Sequence, residues 1–196
     1  MSFVVISGFT VKTQYEEEVK DLIRDLKRFN IPNEIFSYVS RGDWTKNTMV
    51  KAELFQEAMM KYPDKDIIWL DADAVIMQKP ELFFELENHD FDICCHYLKT
   101  HYNPNELLSG TLAFRNNETT RQLVDDWVND KEVNWDQKKL QKLVDGKYKD
   151  KLKHLPLPIE YIKIKRRNEH DVYNIGGVIG HKQVSRKQRH VLGYTR

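Results

Sequence analysis

The apolar positions of the first 70 residues alternate between short continuous runs and longer stretches with helical spacing. Residues 3–7 are rich in β-branched and aromatic side chains and end at Gly8, which predicts a buried first strand. Across residues 19–29 the apolar side chains, Ile23 among them, recur every three or four positions, and this spacing predicts a helix that ends before Pro32. A strand at 34–39, a helix at about 49–60 and a continuous apolar strand at 67–70 follow.

The second half of the chain continues this alternation. It predicts strands at 91–96 and 111–115 and helices after Pro80, at 119–128 and at 136–144. Strands that alternate with helices are typical of an α/β protein with a mostly parallel central sheet flanked by helices. Because 196 residues can bury one sizeable core but are few for two enzymatic domains, we expect a single domain over residues 1–196.

The composition is that of a globular chain. Hydrophobic residues make up 40% and charged residues 31% of the sequence, so disorder is expected only at the ends. The apolar run at the N-terminus is short and has no positive charge before it, unlike a signal peptide, and no window approaches the ~18 apolar residues of a membrane span. We therefore expect a protein of the cytoplasm, or of the host cytoplasm if the source is a virus.

The two cysteines, Cys94 and Cys95, are adjacent within an apolar stretch. Adjacent cysteines suit neither an ordinary disulfide nor a metal site of the CxxC type. They are predicted to be reduced thiols of the core.

The net charge of +1 conceals a gradient along the chain. From residue 147 onward there are 13 Lys and Arg residues against 4 Asp and Glu residues, whereas residues 1–146 carry 18 against 26. A basic C-terminal part predicts contact with phosphate groups, in a nucleotide donor, a nucleic acid or both. A solvated basic terminus without a ligand explains the same counts.

A pair of carboxylates follows the apolar strand at 67–70, in the segment IIWLDADAVI. Asp71 and Asp73 are separated by one residue, so in extended backbone they point to the same side with Cα atoms ~7 Å apart. Both could reach one hard cation such as Mg²⁺ or Mn²⁺, which takes oxygen ligands and shares its remaining positions with phosphate. Ligands of parallel sheets bind at the carboxyl ends of the strands, where this pair lies. The alternative is a strand that ends in a polar turn.

Several segments resemble GT-A fold glycosyltransferases, in particular small nucleotide-diphospho-sugar transferases. IIWLDADAVIMQKPELF resembles their DxD region, and WTKNTMVKAELFQEAMMKYPDKD resembles the helix that precedes it. SGTLAFRNNETTRQLVDDW is similar to the strand and helix of the acceptor side, and VIGHKQVSRKQR to the terminal segment whose His completes the metal site. The resemblance runs from the first strand almost to the C-terminus and implies the GT-A fold.

The resemblance also implies an activity, a donor and a cation. The activity is sugar transfer from a nucleotide-diphosphate donor, with UDP as the nucleotide, and the cation is Mn²⁺ or Mg²⁺. The implied metal ligands are Asp71, Asp73 and His181. The residues implied in donor binding are Gly8, Phe9, Thr10, Lys51, Asp71, Ala72 and Lys182. Phe9 in the core and Lys51 on a solvated helix face are the alternative interpretations.

Glycines and basic residues surround His181. Glycine lets the backbone approach a diphosphate closely, and basic side chains neutralise its charge. The candidates are Gly176, Gly177, Gly180, Lys182, Arg186, Lys187 and Arg189.

An inverting transfer also needs a carboxylate that deprotonates the acceptor hydroxyl. Asp136, in NWDQKKL, is the first candidate, because the similar enzymes have an acidic residue before a helix, and Asp92 is the second. An Asp at the start of a helix is equally a helix N-cap.

The acceptor or sugar pocket is predicted at Ser109, Gly110 and Thr111, whose backbone and hydroxyls can approach a polar ligand. A turn before a strand is the alternative. Indole rings could stack on a sugar or base at Trp44 and Trp135, whereas Trp127 lies on a helical apolar stripe and is expected in the core.

Other classes of function remain open on the sequence alone. Asp71, Asp73 and Val75 fit the DxDx[TV] pattern of haloacid-dehalogenase phosphatases, in which the first Asp is the nucleophile, although that motif normally follows the first strand. A nucleotide-binding or nucleic-acid-binding module without turnover is the second alternative. The basic C-terminal half also allows an acceptor in nucleic acid, such as a DNA base.

Overall fold

Helices and strands alternate along the chain, as the sequence predicts. The computed structural model describes residues 1–99, 105–130, 135–164, 172 and 175–184. The strands are β1 (Phe3–Thr10), β2 (Asn33–Tyr38), β3 (Asp66–Leu70), β4 (Ala74–Ile76), β5 (Ile93–Leu98), β6 (Glu106–Phe114), β7 (His154–Pro156), β8 (Lys163–Ile164) and β9 (Ile179–His181). The helices are α1 (Gln14–Arg28), α2 (Trp44–Lys61), α3 (Glu81–Glu85), α4 (Glu118–Asn129) and α5 (Asp136–Asp145). Single turns of 3₁₀ helix lie at Leu86–Asn88 and Ile159–Tyr161.

The central sheet contains six of these strands, in the order β2-β1-β3-β6-β5-β7. β1 is parallel to β2 and β3, β5 is parallel to β7, and β6 is antiparallel to both of its neighbours. All strands of this sheet except β6 therefore run in one direction, which confirms the predicted α/β fold with a mostly parallel sheet. Three short strands form a second sheet, in the order β4-β9-β8.

Two apolar clusters cover the two faces of the central sheet. Because side chains alternate along a strand, Val4 and Ile67 enter the cluster shared with α2, α4 and α5, whereas Val5 and Ile68 enter the cluster shared with α1, α3 and the small sheet. β3 is buried on both faces, as its continuous apolar run predicts. Trp127 is fully buried in the first cluster, which confirms its assignment to the core.

The first two helices begin earlier than the apolar spacing predicts. Thr13 caps the start of α1 by accepting a hydrogen bond from the amide of Tyr15. After the helix ends, Asn30 has a positive φ of 53°, which turns the chain away from the helix. Ile23 is 42% exposed, so the buried stripe of α1 does not include it. Asp43 caps α2 by accepting a hydrogen bond from the amide of Lys46, and the helix therefore begins five residues before the predicted position.

Four short strands and the start of β6 were not predicted. β4, β7, β8 and β9 have only two or three residues each, too few for a periodic pattern. β6 begins at Glu106 instead of 111, so Ser109, Gly110 and Thr111 lie within a strand and the turn interpretation is wrong.

Cys94 and Cys95 are buried and form no disulfide, which confirms the prediction of core thiols. Burial raises the pKa of the Cys94 thiol to about 12, so it stays protonated near neutral pH. None of the described helices has the length and apolarity that a membrane crossing requires.

Candidate active site

A cleft of about 790 Å³ opens at the carboxyl ends of β1, β2 and β3. Most of the predicted site residues line it, namely Gly8, Phe9, Thr10, Lys51, Asp71, Ala72, Asp73, Ser109, Gly110, Asp136 and His181. Thr111 and Lys182 are not among the lining residues. The cleft lies where parallel sheets bind their ligands, because the strands end there and the backbone turns away.

Asp71 follows the last residue of β3 and presents one carboxylate oxygen to the cleft. Its Oδ1 accepts hydrogen bonds from Trp69 Nε1 at 2.7 Å and lies 3.0 Å from Lys51 Nζ. Its backbone amide donates to the carbonyl of Gly110, which fixes the end of β3 against β6. Two donors thus bind Oδ1, and Oδ2 remains for a ligand.

Asp73 is more buried and is bound in a similar way. Its Oδ2 accepts a hydrogen bond from the amide of Val184 at 3.0 Å, and its carbonyl accepts one from the amide of Lys182. Its Oδ1 lies 3.8 Å from His181 Nδ1, beyond hydrogen-bonding distance. The described residues of the C-terminal segment therefore hold one oxygen and leave the other facing the histidine.

His181 comes to the two carboxylates through the small sheet, in which β9 places it opposite Ala74 of β4. Its Nδ1 is buried and has no hydrogen-bond partner among the described residues. One ligand atom from each of Asp71, Asp73 and His181 lies within 4.8 Å of the other two. A buried nitrogen without a partner is costly unless a ligand satisfies it, so these three residues fit one divalent cation.

Gly110 leaves the space beside these ligand atoms open. A Cβ at this position would lie 3.2 Å from His181 Nδ1 and 3.3 Å from Asp71 Oδ2. Both atoms therefore face the volume next to Gly110. Oxygen and imidazole ligands of this kind suit Mn²⁺ and Mg²⁺.

Lys51 joins the cation cluster to Asp136. The side chain is only 7% exposed, and Nζ lies 3.0 Å from Asp71 and 3.1 Å from Asp136 Oδ2. It also donates to the carbonyl of Ser109 at 3.0 Å. Burial opposes the charge of Lys51, but the carboxylates of Asp136 and Asp71 outweigh this effect and raise its pKa, so the ammonium stays charged. The interpretation of Lys51 as a solvated helix residue is wrong.

Asp136 is the first residue of α5, and Trp135 occupies the N-cap position before it. The N-cap interpretation is therefore wrong, since the carboxylate instead faces Lys51. Asp92, the second candidate, lies at the opposite end of the sheet and does not line the cleft.

The electrostatics of the cleft floor favour a cation. Burial raises the pKa of Asp71, the charge of Lys51 opposes this shift, and the nearby Asp73 carboxylate adds to it. Burial also raises the pKa of Tyr15, and the two carboxylates raise it further. The cleft floor thus places the carboxylates of Asp71, Asp73 and Asp136 beside the ammonium of Lys51.

The region around His181 differs in part from the prediction. Lys182 Nζ lies 2.6 Å from Glu18 and 2.5 Å from Asp21, so its ammonium binds α1. A Cβ on Gly177 or Gly180 would approach protein atoms within 3.0 Å, so close chain packing accounts for both glycines. Arg186, Lys187 and Arg189 lie outside the described residues.

The cleft residues that sequence reasoning did not identify include Trp69, Tyr15 and Gln137. Gln137 donates to Glu106 at 2.9 Å, and its Oε1 lies 3.4 Å from Ser109 Oγ. Trp69 stands two positions before Asp71 on the strand, a spacing that places both side chains on one side and could have indicated the contact. Tyr15 and Gln137 carried no comparable signal.

An α/β sheet with a carboxylate and imidazole cluster at the carboxyl ends of its strands is typical of enzymes that bind phosphorylated ligands with a divalent cation. Residues 24–184 match the model of the Nucleotide-diphospho-sugar transferase family, and the chain belongs to that family.

Several solved structures share the fold of this chain. A glycosyltransferase described as involved in the glycosylation of the major capsid of PBCV-1 shares 15% identity, with 96% of this chain and 97% of that chain covered and a TM-score of 0.69. The bifunctional glycosyltransferase WbbM shares 12% identity, with 93% of this chain and 46% of that chain covered and a TM-score of 0.57. The glycosyltransferase GlyE of Streptococcus pneumoniae TIGR4 shares 14% identity, with 92% of this chain and 54% of that chain covered and a TM-score of 0.56. This chain thus spans about half of each of the last two proteins. A search of the curated proteins found no match.

Proposed function

We propose that the protein transfers a sugar from a UDP-sugar to an acceptor hydroxyl, with Mn²⁺ or Mg²⁺ held by Asp71, Asp73 and His181 of its DxD-type site. The observation that carries the proposal is the cluster of ligand atoms at the cleft floor. It includes Nδ1 of His181, which is buried and has no hydrogen-bond partner in the described part of the chain. Membership of the nucleotide-diphospho-sugar transferase family supports the donor class.

Each side chain of the floor has a place in this reaction. When bound, the divalent cation would stabilise the negative charge that develops on the diphosphate as the sugar bond breaks. Trp69 and Lys51 orient Asp71 by binding its Oδ1, and both oppose the rise in the pKa of Asp71 that burial causes. Lys51 adds a fixed positive charge to the site, where an anionic leaving group forms.

Asp136 is proposed as the carboxylate on the sugar side of the cleft. The ammonium of Lys51 and the hydroxyl of Ser109 hold its Oδ2, at 3.1 and 3.4 Å. Held in this orientation, an ionised carboxylate can take the proton of an acceptor hydroxyl. Gly8, Phe9, Thr10 and Ala72 line the cleft beside it and are proposed to contact the donor.

Two alternatives receive less support from the described residues. Asp71 as a phosphatase nucleophile receives less support because the family match is to sugar transferases. A nucleic-acid acceptor needs free basic side chains, and three lysines of the C-terminal part, Lys147, Lys153 and Lys182, are engaged in ion pairs with acidic residues.

The test measures nucleoside diphosphate release from a panel of UDP- and GDP-sugars in the presence of Mn²⁺. We expect one donor to be hydrolysed slowly without acceptor, and chelation to abolish the reaction. Asp73→Asn should lower release at least about 100-fold, because loss of a ligand removes several kcal/mol of charge stabilisation.

Asp90→Asn is the matched control, since it removes an exposed carboxylate outside the cleft that pairs with Lys153. It should release at the wild-type rate. If neither metal nor any nucleotide-sugar binds the wild-type protein, the proposal is wrong. Hydrolysis of a phosphomonoester that depends on Asp71 would instead support the phosphatase.

A further inference from the structure

Thr111 lies behind the metal ligand His181 and not in the cleft. Its side chain is buried, and Oγ1 lies 3.0 Å from His181 Nε2 and 2.9 Å from the carbonyl oxygen of Tyr161. The sequence placed this hydroxyl in the acceptor or sugar pocket. Its contacts connect it to the cation cluster from the opposite side of the imidazole.

The contacts of Thr111 with Tyr161 and His181 determine which group donates and which accepts in each hydrogen bond. A carbonyl oxygen can only accept, so the single hydroxyl proton of Thr111 is donated to Tyr161. Oγ1 must then accept from His181, which requires a hydrogen on Nε2. In the neutral imidazole, Nδ1 is consequently without a hydrogen and carries a lone pair.

Nδ1 is the nitrogen that faces the two carboxylates. It lies 3.8 Å from Asp73 Oδ1 and has no hydrogen-bond partner among the described residues. A hydrogen on Nδ1 would point into the cation position and prevent ligation. A second hydrogen bond of this kind commonly orients a metal-ligating histidine and selects its tautomer.

We propose that Thr111 is a positioning residue that, through its bond to the Tyr161 carbonyl, holds His181 as the Nε2–H tautomer and directs the Nδ1 lone pair to the cation. The role of the tautomer in cation binding rests on the proposed function, whereas the tautomer itself does not.

An irregularity in β6 makes this arrangement possible. Residues two apart on a regular strand share a face, yet Ser109 contacts Lys51 of α2 whereas Thr111 contacts Tyr161 and His181 on the side of the small sheet. The pairing of β5 with β6 shifts register across this segment. The shift lets one short segment contact Asp136 with one hydroxyl and His181 with the other.

The first test reads the tautomer in metal-free protein. Long-range ¹H–¹⁵N correlation spectra separate the two ring nitrogens of each of the seven histidines, and the spectrum of His181→Ala identifies the signals of His181. We expect the Nε2–H pattern in the wild-type protein and in Thr111→Ser, which keeps the hydroxyl. In Thr111→Val, which keeps the shape and loses the hydroxyl, the two tautomers should mix.

The second test measures Mn²⁺ affinity of the same full-length proteins from the electron paramagnetic resonance signal of the free ion. Thr111→Val should bind Mn²⁺ about 10- to 100-fold more weakly, whereas Thr111→Ser should restore most of the affinity. Thermal unfolding without metal separates this loss from a general loss of structure.

A wild-type His181 with its hydrogen on Nδ1 would overturn the proposal, as would Thr111→Val with an unchanged tautomer and unchanged Mn²⁺ affinity. If the wild-type protein has the Nε2–H tautomer but does not bind Mn²⁺, the cation site of the proposed function is wrong, and the tautomer assignment stands.

Discussion

Buried carboxylates lie at both ends of β3, but the two ends hold them differently. At the far end, which comprises Asp66, Asp92, Arg115 and Asn117, Asp92 accepts hydrogen bonds at both oxygens, from Asn117 Nδ2 at 2.6 Å and from the amide of Lys153 at 2.8 Å. At the cleft end, which comprises Asp71, Asp73, Asp136 and His181, Asp73 accepts from Val184 at one oxygen and faces the His181 ring with the other.

The difference separates structural carboxylates from candidate ligands. A buried polar group needs a partner, and the far end supplies every partner of Asp92 from the protein. The cleft end instead leaves Asp71 Oδ2, Asp73 Oδ1 and His181 Nδ1 directed at one volume. Asp92 and Asp73 are similarly buried, so burial does not show which of them is a candidate ligand. Their hydrogen bonds distinguish the two.

The largest expected effect comes from Lys51→Met. This change leaves the buried Asp136 and the partly exposed Asp71 without their shared counter-charge, and breaking a buried pair such as Lys51–Asp136 costs about 3–5 kcal/mol of unfolding free energy. Urea denaturation measures the loss. Lys61→Met is the matched control, because its exposed ammonium pairs with Glu34 on the surface, and its loss should be much smaller. Equal stability of the two variants would show that Lys51 does not stabilise the cleft end.

Asp92→Asn tests the far end. The new amide group would turn a donor towards one of the two N–H donors that now bind Asp92, which costs about 1–3 kcal/mol of unfolding free energy. The rate of sugar transfer at a temperature where the variant is folded should equal that of the wild type.

Asp73→Asn should show the reverse behaviour, with transfer lost and a smaller loss of unfolding free energy than in Asp92→Asn. The amide oxygen can still accept from the Val184 amide, and no second N–H donor among the described residues binds the other position. Loss of transfer in folded Asp92→Asn would contradict the division between the two ends.

The sequence predicted the fold and the centre of the cleft because both depend on local patterns. The apolar run of β3 and the spacing of Asp71 and Asp73 required no knowledge of the rest of the chain. His181 was reached only through a family resemblance, since β9 has three residues and forms by pairing with β4. The position of Thr111 depends on a register shift between β5 and β6, which no periodicity encodes. The salt bridges of Lys182 to α1 join residues more than 160 positions apart.

Gly110→Ala tests whether the volume beside the cleft end holds the cation. The added Cβ would lie 3.0 Å from His181 Cε1 and close to both Nδ1 and Asp71 Oδ2, and crowding of this kind costs about 1–3 kcal/mol. We therefore expect Mn²⁺ affinity to fall about 10-fold or more, as measured by isothermal titration calorimetry. An affinity equal to that of the wild type would place the cation elsewhere.

Trp135→Ala compares an indole of the cleft with one of the core, and its effect on activity should be the smallest of those predicted. Trp135 lines the cleft, and its ring centroid lies 6.1 Å from that of Trp44. Trp127 is instead fully buried and donates a hydrogen bond to the Asp136 carbonyl. Loss of a stacking surface worth about 0.5–1.5 kcal/mol should raise the KM of donor or acceptor about 2- to 10-fold, with kcat nearly unchanged. Trp127→Ala should instead cost about 3–5 kcal/mol of unfolding free energy. If Trp135→Ala lowers stability to the level of Trp127→Ala and leaves both KM values unchanged, Trp135 supports the fold and does not contact a substrate.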